Sequence, residues 1–501
     1  MTSWLPSFLS GGPAQPARVP TDKVVPVGYF DDTIIFRTYT IYVMLVYDEV
    51  LDVDQLHSGM TRLVSERKGW DKLGARFRRS ADGKSLEHHI PTTFSASRRA
   101  VDFTSADHSD TKIDDHPVAS KLPRPSPSAS TPSVICDPDD FKSLIYAPGV
   151  PIWASDYLYS DRPQFGLRVV SFRDSTVVVV HWLHVAMDSI GLGSVLRAWR
   201  LMLEGREDEI PEPLPADEYP LAEYGLAPKE KHLLEDVHLK MSGVLAWVAR
   251  NLWMLAVTPK ECGMLCIPAK FWKKLREQAL ADLAKSGGGD GGWVSEGDVL
   301  LAWFSRLALA HYDKDSAAAL APVNIQQVVE VRGRMPERFP PNRPYLGNAI
   351  AFMIQLMPIR DALTTPISQV AGAIRKALVT QSTPEQCEAY GALVRQDPVN
   401  RAPPFFGESR MHLLLYTNWC KAKLYDTDLG AAVKGGDGSS SGKKKAAPPR
   451  YIQTNQGPYD FPDGIFVVGK DAHENYWISA YRPKGLWGVV AKVIREEWSS
   501  E

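Results

Sequence analysis

A chain of 501 residues, 44% of them apolar and 23% charged, is globular in composition and long enough for two domains of ordinary size. Its 57 Lys and Arg against 59 Asp and Glu provide no net field for nucleic acid, and five cysteines in so long a chain do not make a disulfide framework. The first ten residues have no basic start and meet Pro6, so they do not read as a signal peptide, and no apolar run reaches the roughly 20 residues that span a bilayer. A cytoplasmic, reduced protein is expected.

In chain order, 38–47 is β-branched and aromatic and predicts a strand. Val53, Leu56, Met60, Leu63 and Val64 follow at helical spacing within 51–68. The Pro- and Ser-rich stretch 116–133 reads as a loop. Two strands, 165–172 and 176–182, join at Arg173-Asp174-Ser175 as a hairpin, and 191–204 then presents Leu192, Val195, Leu196, Trp199 and Leu203 along one helix face. The apolar run 244–257 contains Trp247 and Trp253; it reads as a helix buried against another, with a helix lying on a membrane surface as the alternative. Cys262 and Cys266 have helical i, i+4 spacing, but no second Cys/His pair lies nearby to complete a metal site, so they read as structural thiols.

Helices are expected over 271–284 and 296–312, and strands over 349–357, 411–419, 464–470 and 476–481. The runs 286–292 and 434–450 read as loops; Lys443 to Lys445, in the second, suit a solvated insertion better than an anion site. Mixed strands and helices in each half imply layered α/β domains. The Pro-containing stretch after Glu209 suggests a division into an N-terminal domain at 1–215, a crossover at 216–268 and a C-terminal domain at 269–501, with the insertion at 434–450.

The stretch that carries chemistry is 177–191, where four valines lead to His181, then His184, with Asp188 four residues further on. A buried strand breaking into a turn is a favoured place for a reactive side chain, because the rigid element fixes the backbone there. Spacing alone is weak: with twelve histidines in the chain, a His-x-x-x-Asp pair arises by chance roughly once. Two distant stretches add to it. Thr417-Asn-Trp419 is followed by Asp428-Leu-Gly430-Ala-Ala432, and Val331-Arg332-Gly-Arg334 leads through Pro340-Pro341 to Tyr345-Leu-Gly347-Asn348-Ala-Ile350.

In that order these stretches resemble the motifs of the BAHD superfamily of coenzyme A-dependent acyltransferases, in particular its fungal members similar to trichothecene 3-O-acetyltransferase: H-x-x-x-D-G, D-x-R…P-P…Y-F-G-N-A-I, S/T-x-W and D-F-G-W-G. The opening 26–31 (Pro-Val-Gly-Tyr-Phe-Asp), its strand and helix, and 69–78 follow the same pattern, so the resemblance covers nearly the whole chain. Ser189 stands where the family has glycine, and Leu429, Ala431 and Ala432 depart from D-F-G-W-G.

The resemblance implies an α/β (α+β) fold of two similar chloramphenicol-acetyltransferase-like domains, each a mixed sheet flanked by helices, with the active-site channel between them and a monomer as the working unit. It implies acyl-CoA, with acetyl-CoA as the default, as co-substrate, with no metal and no permanent cofactor, and a small-molecule alcohol of a terpenoid or polyketide as acceptor. It nominates His184 as general base, Thr417 as oxyanion donor, Trp419 beside the substrates, Ser295 either near the cofactor or as the cap of the helix that follows it, and Arg332, Asn348, Asp428 and Gly430 as structural support. His181 is expected in the pocket wall or the core. Asp188 is expected to turn from His184 and pair with Arg332. Three rival readings share the fold: a peptide-synthetase condensation domain, against which Leu183 replaces the first histidine of H-H-x-x-x-D-G; a cyclase or pericyclase that has abandoned coenzyme A; and a silent binding protein.

Overall fold

The computed structural model describes residues 15–126, 128–286, 292–397, 401–435, 446–457 and 462–498. Parts of the expected loops, 287–291 and 436–445, and the first ten residues lie outside the described residues.

Four consecutive valines, Val177 to Val180, predispose Thr176–Leu183 to a strand buried on both faces, and it takes the centre of a five-stranded sheet. Thr40–Tyr47 pairs antiparallel on one side and Phe165–Phe172 on the other. The hairpin closes with Phe172 N donating to Ser175 O at 2.9 Å, as its turn residues predict. Asp102–His108 adds a parallel edge, and Tyr451–Gly457, from the far end of the chain, completes the other edge against Thr40–Tyr47. The helices Val53–Glu66 and Ser189–Glu204 cover one face and contact each other, with Trp199 Nε1 donating to Leu56 O at 3.1 Å.

The second sheet has seven strands in the order Ile350–Pro358, Pro322–Glu330, His412–Asn418, Gly464–Lys470, Tyr476–Pro483, Lys260–Ile267 and Ser133–Cys136. Its helices Glu296–Leu309 and Ile367–Gln381 pack over a core that includes Trp303, Leu301 and Ile374. A small sheet of Lys23–Pro26, Leu86–Ile90 and Arg76–Arg79 sits apart.

The division of the sheets does not follow the sequence. Ser133–Cys136 belongs to the C-terminal sheet and Tyr451–Gly457 to the N-terminal one, and Lys260–Ile267, inside the stretch read as a crossover, is a C-terminal strand. The i, i+4 spacing of Cys262 and Cys266 therefore has a different meaning from the helical one expected. Pro259 precedes the segment, and the two thiols point to one face of a strand roughly 13 Å apart. Among the described residues one other trio, Asp137, Asp139 and Cys262, brings possible metal-ligating atoms within 4.8 Å of one another. Asp139 already accepts from Lys142 at 2.7 Å and Tyr481 at 2.5 Å.

One close approach fastens the halves together. A Cβ on Gly193, in the helix after Asp188, would lie 2.4 Å from the main-chain oxygen of Ala422, just beyond Trp419. Gly193→Val is expected to cost about 1–3 kcal/mol by pushing helix from loop. Gly488→Ala, where a Cβ meets only open space, is expected to be neutral or slightly stabilising. Urea midpoints of the two variants check this.

Candidate active site

His184 follows directly on the strand Thr176–Leu183, where the chain leaves the sheet and has not yet entered the helix Ser189–Glu204. Its main-chain N donates to Tyr39 O at 2.8 Å, and its ring stacks on Phe36 with centroids 4.3 Å apart. The residue is half-buried, and Nε2 is not one of the polar atoms sealed from solvent without a partner. Nδ1 is on the buried side and makes no hydrogen bond of normal geometry. Burial pulls the imidazole pKa below its ordinary value; the main-chain oxygens of His184 and Met187, the charge of Asp188 and the side chain of Asn348 pull the other way without overcoming it.

Asp188 is the N-cap of the helix, its Oδ1 accepting from Ile190 N at 3.1 Å and Gly191 N at 3.0 Å. Arg332 grips both oxygens, Nη1 to Oδ2 at 2.8 Å and Nη2 to Oδ1 at 3.0 Å, and Ala349 N donates to Oδ2 at 3.0 Å. The carboxylate is thus turned to Arg332 and engaged at both oxygens. Burial lowers the guanidinium pKa, but the charge and hydrogen bonds of Asp188 outweigh it and hold Arg332 above its ordinary value.

Asn348 joins this support to the histidine. Its Nδ2 donates to His184 O at 3.0 Å and to Asp31 Oδ1 at 2.9 Å, and its main-chain N donates to the same Asp31 oxygen at 2.5 Å. Asn348 Oδ1, like His184 Nδ1, is buried and makes no hydrogen bond of normal geometry. Asp31 also accepts from Tyr345 OH at 3.2 Å. Burial raises the Asp31 carboxyl to about 6, although Lys72 and the three hydrogen bonds work against the rise. Behind it a cavity of about 360 Å³ is lined by Lys72, Tyr219, Tyr345 and His88 among others. Sequence reasoning gave Asp31 no role. It lies in the stretch 26–31 noted for its family pattern, but no spacing connects position 31 with position 348.

Thr417 and Trp419 form a second group. Trp419 Nε1 donates to Thr417 Oγ1 at 3.1 Å, at the end of the strand His412–Asn418. Trp419 lines a narrow seam between the two sheets, with Ile41 and Asn455 on one side and Phe466 and Ser479 on the other. The room there is about 10 Å³, the scale of one water. Among the described residues no hydrogen bond links this pair to His184.

The other nominated residues divide clearly. Ser295 caps the helix Glu296–Leu309 in a capping box, its Oγ accepting from Asp298 N at 3.3 Å while its N donates to Asp298 Oδ2 at 2.7 Å. Asp428 Oδ1 accepts from Gly430 N at 2.8 Å and Ala447 N at 2.7 Å. Of the two places expected for His181, the structure shows the core and not the pocket wall, so a substrate-binding place for it is corrected. It is 3% exposed, stacked on Tyr42 and 3.3 Å from Tyr157 OH, and burial lowers its pKa to about 3. The facing residue is Gly166 because a Cβ there would lie 2.0 Å from His181 Nε2.

A family model described as "Transferase family" matches residues 136–443. The acetyltransferase adrJ of Penicillium rubens is 32% identical over 98% of this chain and 99% of its own length. A protein of Penicillium decumbens named transcriptional regulator calD is 33% identical over 98% of this chain and 99% of its own. TRI101 of F. graminearum, solved with coenzyme A and T-2 mycotoxin, superposes with a TM-score of 0.64 at 14% identity, covering 93% of this chain and 96% of that one. The chain belongs to the transferase family, the BAHD-type acyltransferases, and has their fold. The regulator's name finds no electrostatic counterpart here, since basic and acidic residues balance at 57 and 59.

Arg332→Ala is expected to cost about 3–5 kcal/mol, because it leaves Asp188 charged, buried and unpaired; a urea midpoint reads it. The raised Asp31 pKa makes a second prediction. A carboxyl that binds its proton more tightly folded than unfolded adds stability that is full below about pH 4 and lost as pH rises through about 6. The stability of wild type relative to Asp31→Asn is therefore expected to fall across that window and level off above it.

Proposed function

We propose that the protein transfers an acyl group, acetyl by default, from coenzyme A to a hydroxyl of a secondary metabolite such as a terpenoid or polyketide, with His184 as general base. The observation that carries this reading is one half-buried histidine just past a core strand, whose Nδ1 is sealed from solvent while Nε2 is not. We take Nδ1 to carry the proton, toward Asn348 Oδ1 and the main-chain oxygens, which leaves the Nε2 lone pair for chemistry. The lowered pKa keeps the base neutral at ordinary pH.

In the reaction, Nε2 accepts the acceptor's hydroxyl proton as its oxygen attacks the thioester carbonyl. A tetrahedral oxyanion forms; its collapse breaks the carbon–sulfur bond, and the imidazolium returns the proton to the leaving thiolate. Thr417 is the proposed oxyanion donor: its oxygen accepts from Trp419 Nε1, which leaves its own O–H to be donated. Asp188 takes no proton, since Arg332 and main-chain groups engage its oxygens. Holding both substrates is itself a large part of such catalysis. Ser295 and Trp419 are proposed to lie beside them, and a monomer is the proposed working unit.

Incubation with acetyl-CoA, a thiol-trapping reagent and a panel of terpenoid and polyketide alcohols tests the assignment. Acceptor-dependent release of free thiol is expected. His184→Ala is expected to lower kcat/KM by about 10²–10⁴. Because the folded imidazole titrates below its ordinary value of 6.5, the acid limb of kcat/KM belongs below pH 6.5, and Asp31→Asn is expected to keep that limb. Full turnover in His184→Ala overturns His184 as the base, and no thiol release with any acceptor returns the protein to the cyclase or binding readings.

A further inference from the structure

The helix Met241–Val257 has one buried side chain, Trp247, which packs against Phe405 with ring centroids 5.1 Å apart. Arg250 Nη2 anchors it further by donating to Met411 O at 2.6 Å. The opposite side is left bare. Met241 (62% exposed), Leu245, Leu252, Trp253 (70% exposed) and Val257 follow at helical spacing, with exposed Ala249 and Ala256 between them. Leu233 and Val237, just upstream, are exposed as well. An apolar stripe of this length on a folded domain marks an interaction surface. It falls on the run for which burial against another helix was expected, and that burial extends only to Trp247.

Charge indicates the partner. Between Asp236 and Glu261 the charged side chains are Lys240, Arg250 and Lys260, with no carboxylate among them. Arg250 is held to Met411 O, yet its charge and that of Lys240, with no carboxylate from 237 to 260, suit an anionic lipid surface whose acyl boundary the apolar side chains enter. An exposed tryptophan is at home at that depth. Seventeen residues make a helix of roughly 25 Å, too short to cross a bilayer but long enough to lie along it. No described helix is long and apolar enough to cross a membrane.

We propose that the face formed by Met241, Leu245, Leu252, Trp253 and Val257 docks the protein on an anionic lipid surface. The proposal is independent of which acceptor, or which reaction, the His184 site serves.

Flotation of the full chain with phosphatidylcholine vesicles containing about 30% phosphatidylserine, and with pure phosphatidylcholine vesicles, is the test. Wild type is expected to float with the mixed vesicles, to bind pure phosphatidylcholine less, and to detach partly in high salt. The double variant Leu245→Glu/Trp253→Glu is expected to lose at least about tenfold in bound fraction, with unchanged circular dichroism, melting temperature and vesicle-free activity. Failure of wild type to float overturns the proposal; a wild-type dimer that the variant lacks, seen in sedimentation, would then assign the face to a second copy of the chain. Undiminished flotation of the folded variant overturns it too, by placing the lipid contact elsewhere. Equal binding to both vesicle types overturns the anionic choice.

Discussion

The geometry around His184 depends on the buried pair of Asp188 and Arg332. Oδ1 receives Ile190 N, Gly191 N and Arg332 Nη2, and Oδ2 receives Arg332 Nη1 and Ala349 N. One carboxylate thereby fixes the start of the helix after His184, the turn at 332–334 and the stretch that holds Asn348. A buried ion pair adds little net stability against well-packed apolar residues, because two charges must leave water. Its contribution here is register. The Coulomb attraction is satisfied only when segments from both halves of the chain meet in one arrangement.

That arrangement separates two histidines that the sequence sets three residues apart. His181 is within the strand, sealed between Tyr42 and Gly166, where burial keeps the ring neutral and out of reach of solvent. His184 is just past the strand, on the opposite parity, and is half-buried. Its support is also unlike a serine-protease triad, in which a carboxylate contacts the histidine directly. The charge of Asp188 is compensated by Arg332, and the contact to His184 passes through the neutral amide of Asn348. Burial holds the imidazole pKa low, as an acceptor of a hydroxyl proton at ordinary pH requires, and Asn348 does not overcome it, whereas a directly bonded carboxylate would raise it further.

Much of this was legible in the sequence, for physical reasons. The strand at 176–183 announced itself by four valines, and the helices at 53–66 and 189–204 by the spacing of their apolar residues. The pairing of Asp188 with Arg332 followed from resemblance, not from spacing. What stayed hidden is what depends on long-range contact. Asp31 meets Asn348 across 317 positions of chain, and nothing local marks a buried carboxylate. Strands 133–136 and 451–457 join the sheet of the other half, a choice made by tertiary packing that leaves no periodic signature. Cys262 and Cys266 show the reverse hazard, since i, i+4 spacing lies on one face of a strand as well as of a helix.

The departures from the family's D-F-G-W-G pattern have a similar explanation. Of residues 428–432, the two that match it, Asp428 and Gly430, are joined by a hydrogen bond. Asp428 Oδ1 receives Gly430 N and Ala447 N, so one carboxylate holds two stretches of main chain together. The residues that differ contribute apolar volume. Leu429 and Ala432 are fully buried in the N-terminal core, beside Tyr47, whose hydroxyl donates to Thr427 O at 3.1 Å. Leu429, Ala431 and Ala432 carry no hydrogen-bonding side chain, whereas a carboxylate aimed at two main-chain N–H groups has no substitute of another shape. The altered letters therefore fall at positions whose side chains make no hydrogen bond, and the two that match hold the main chain at Gly430 and Ala447.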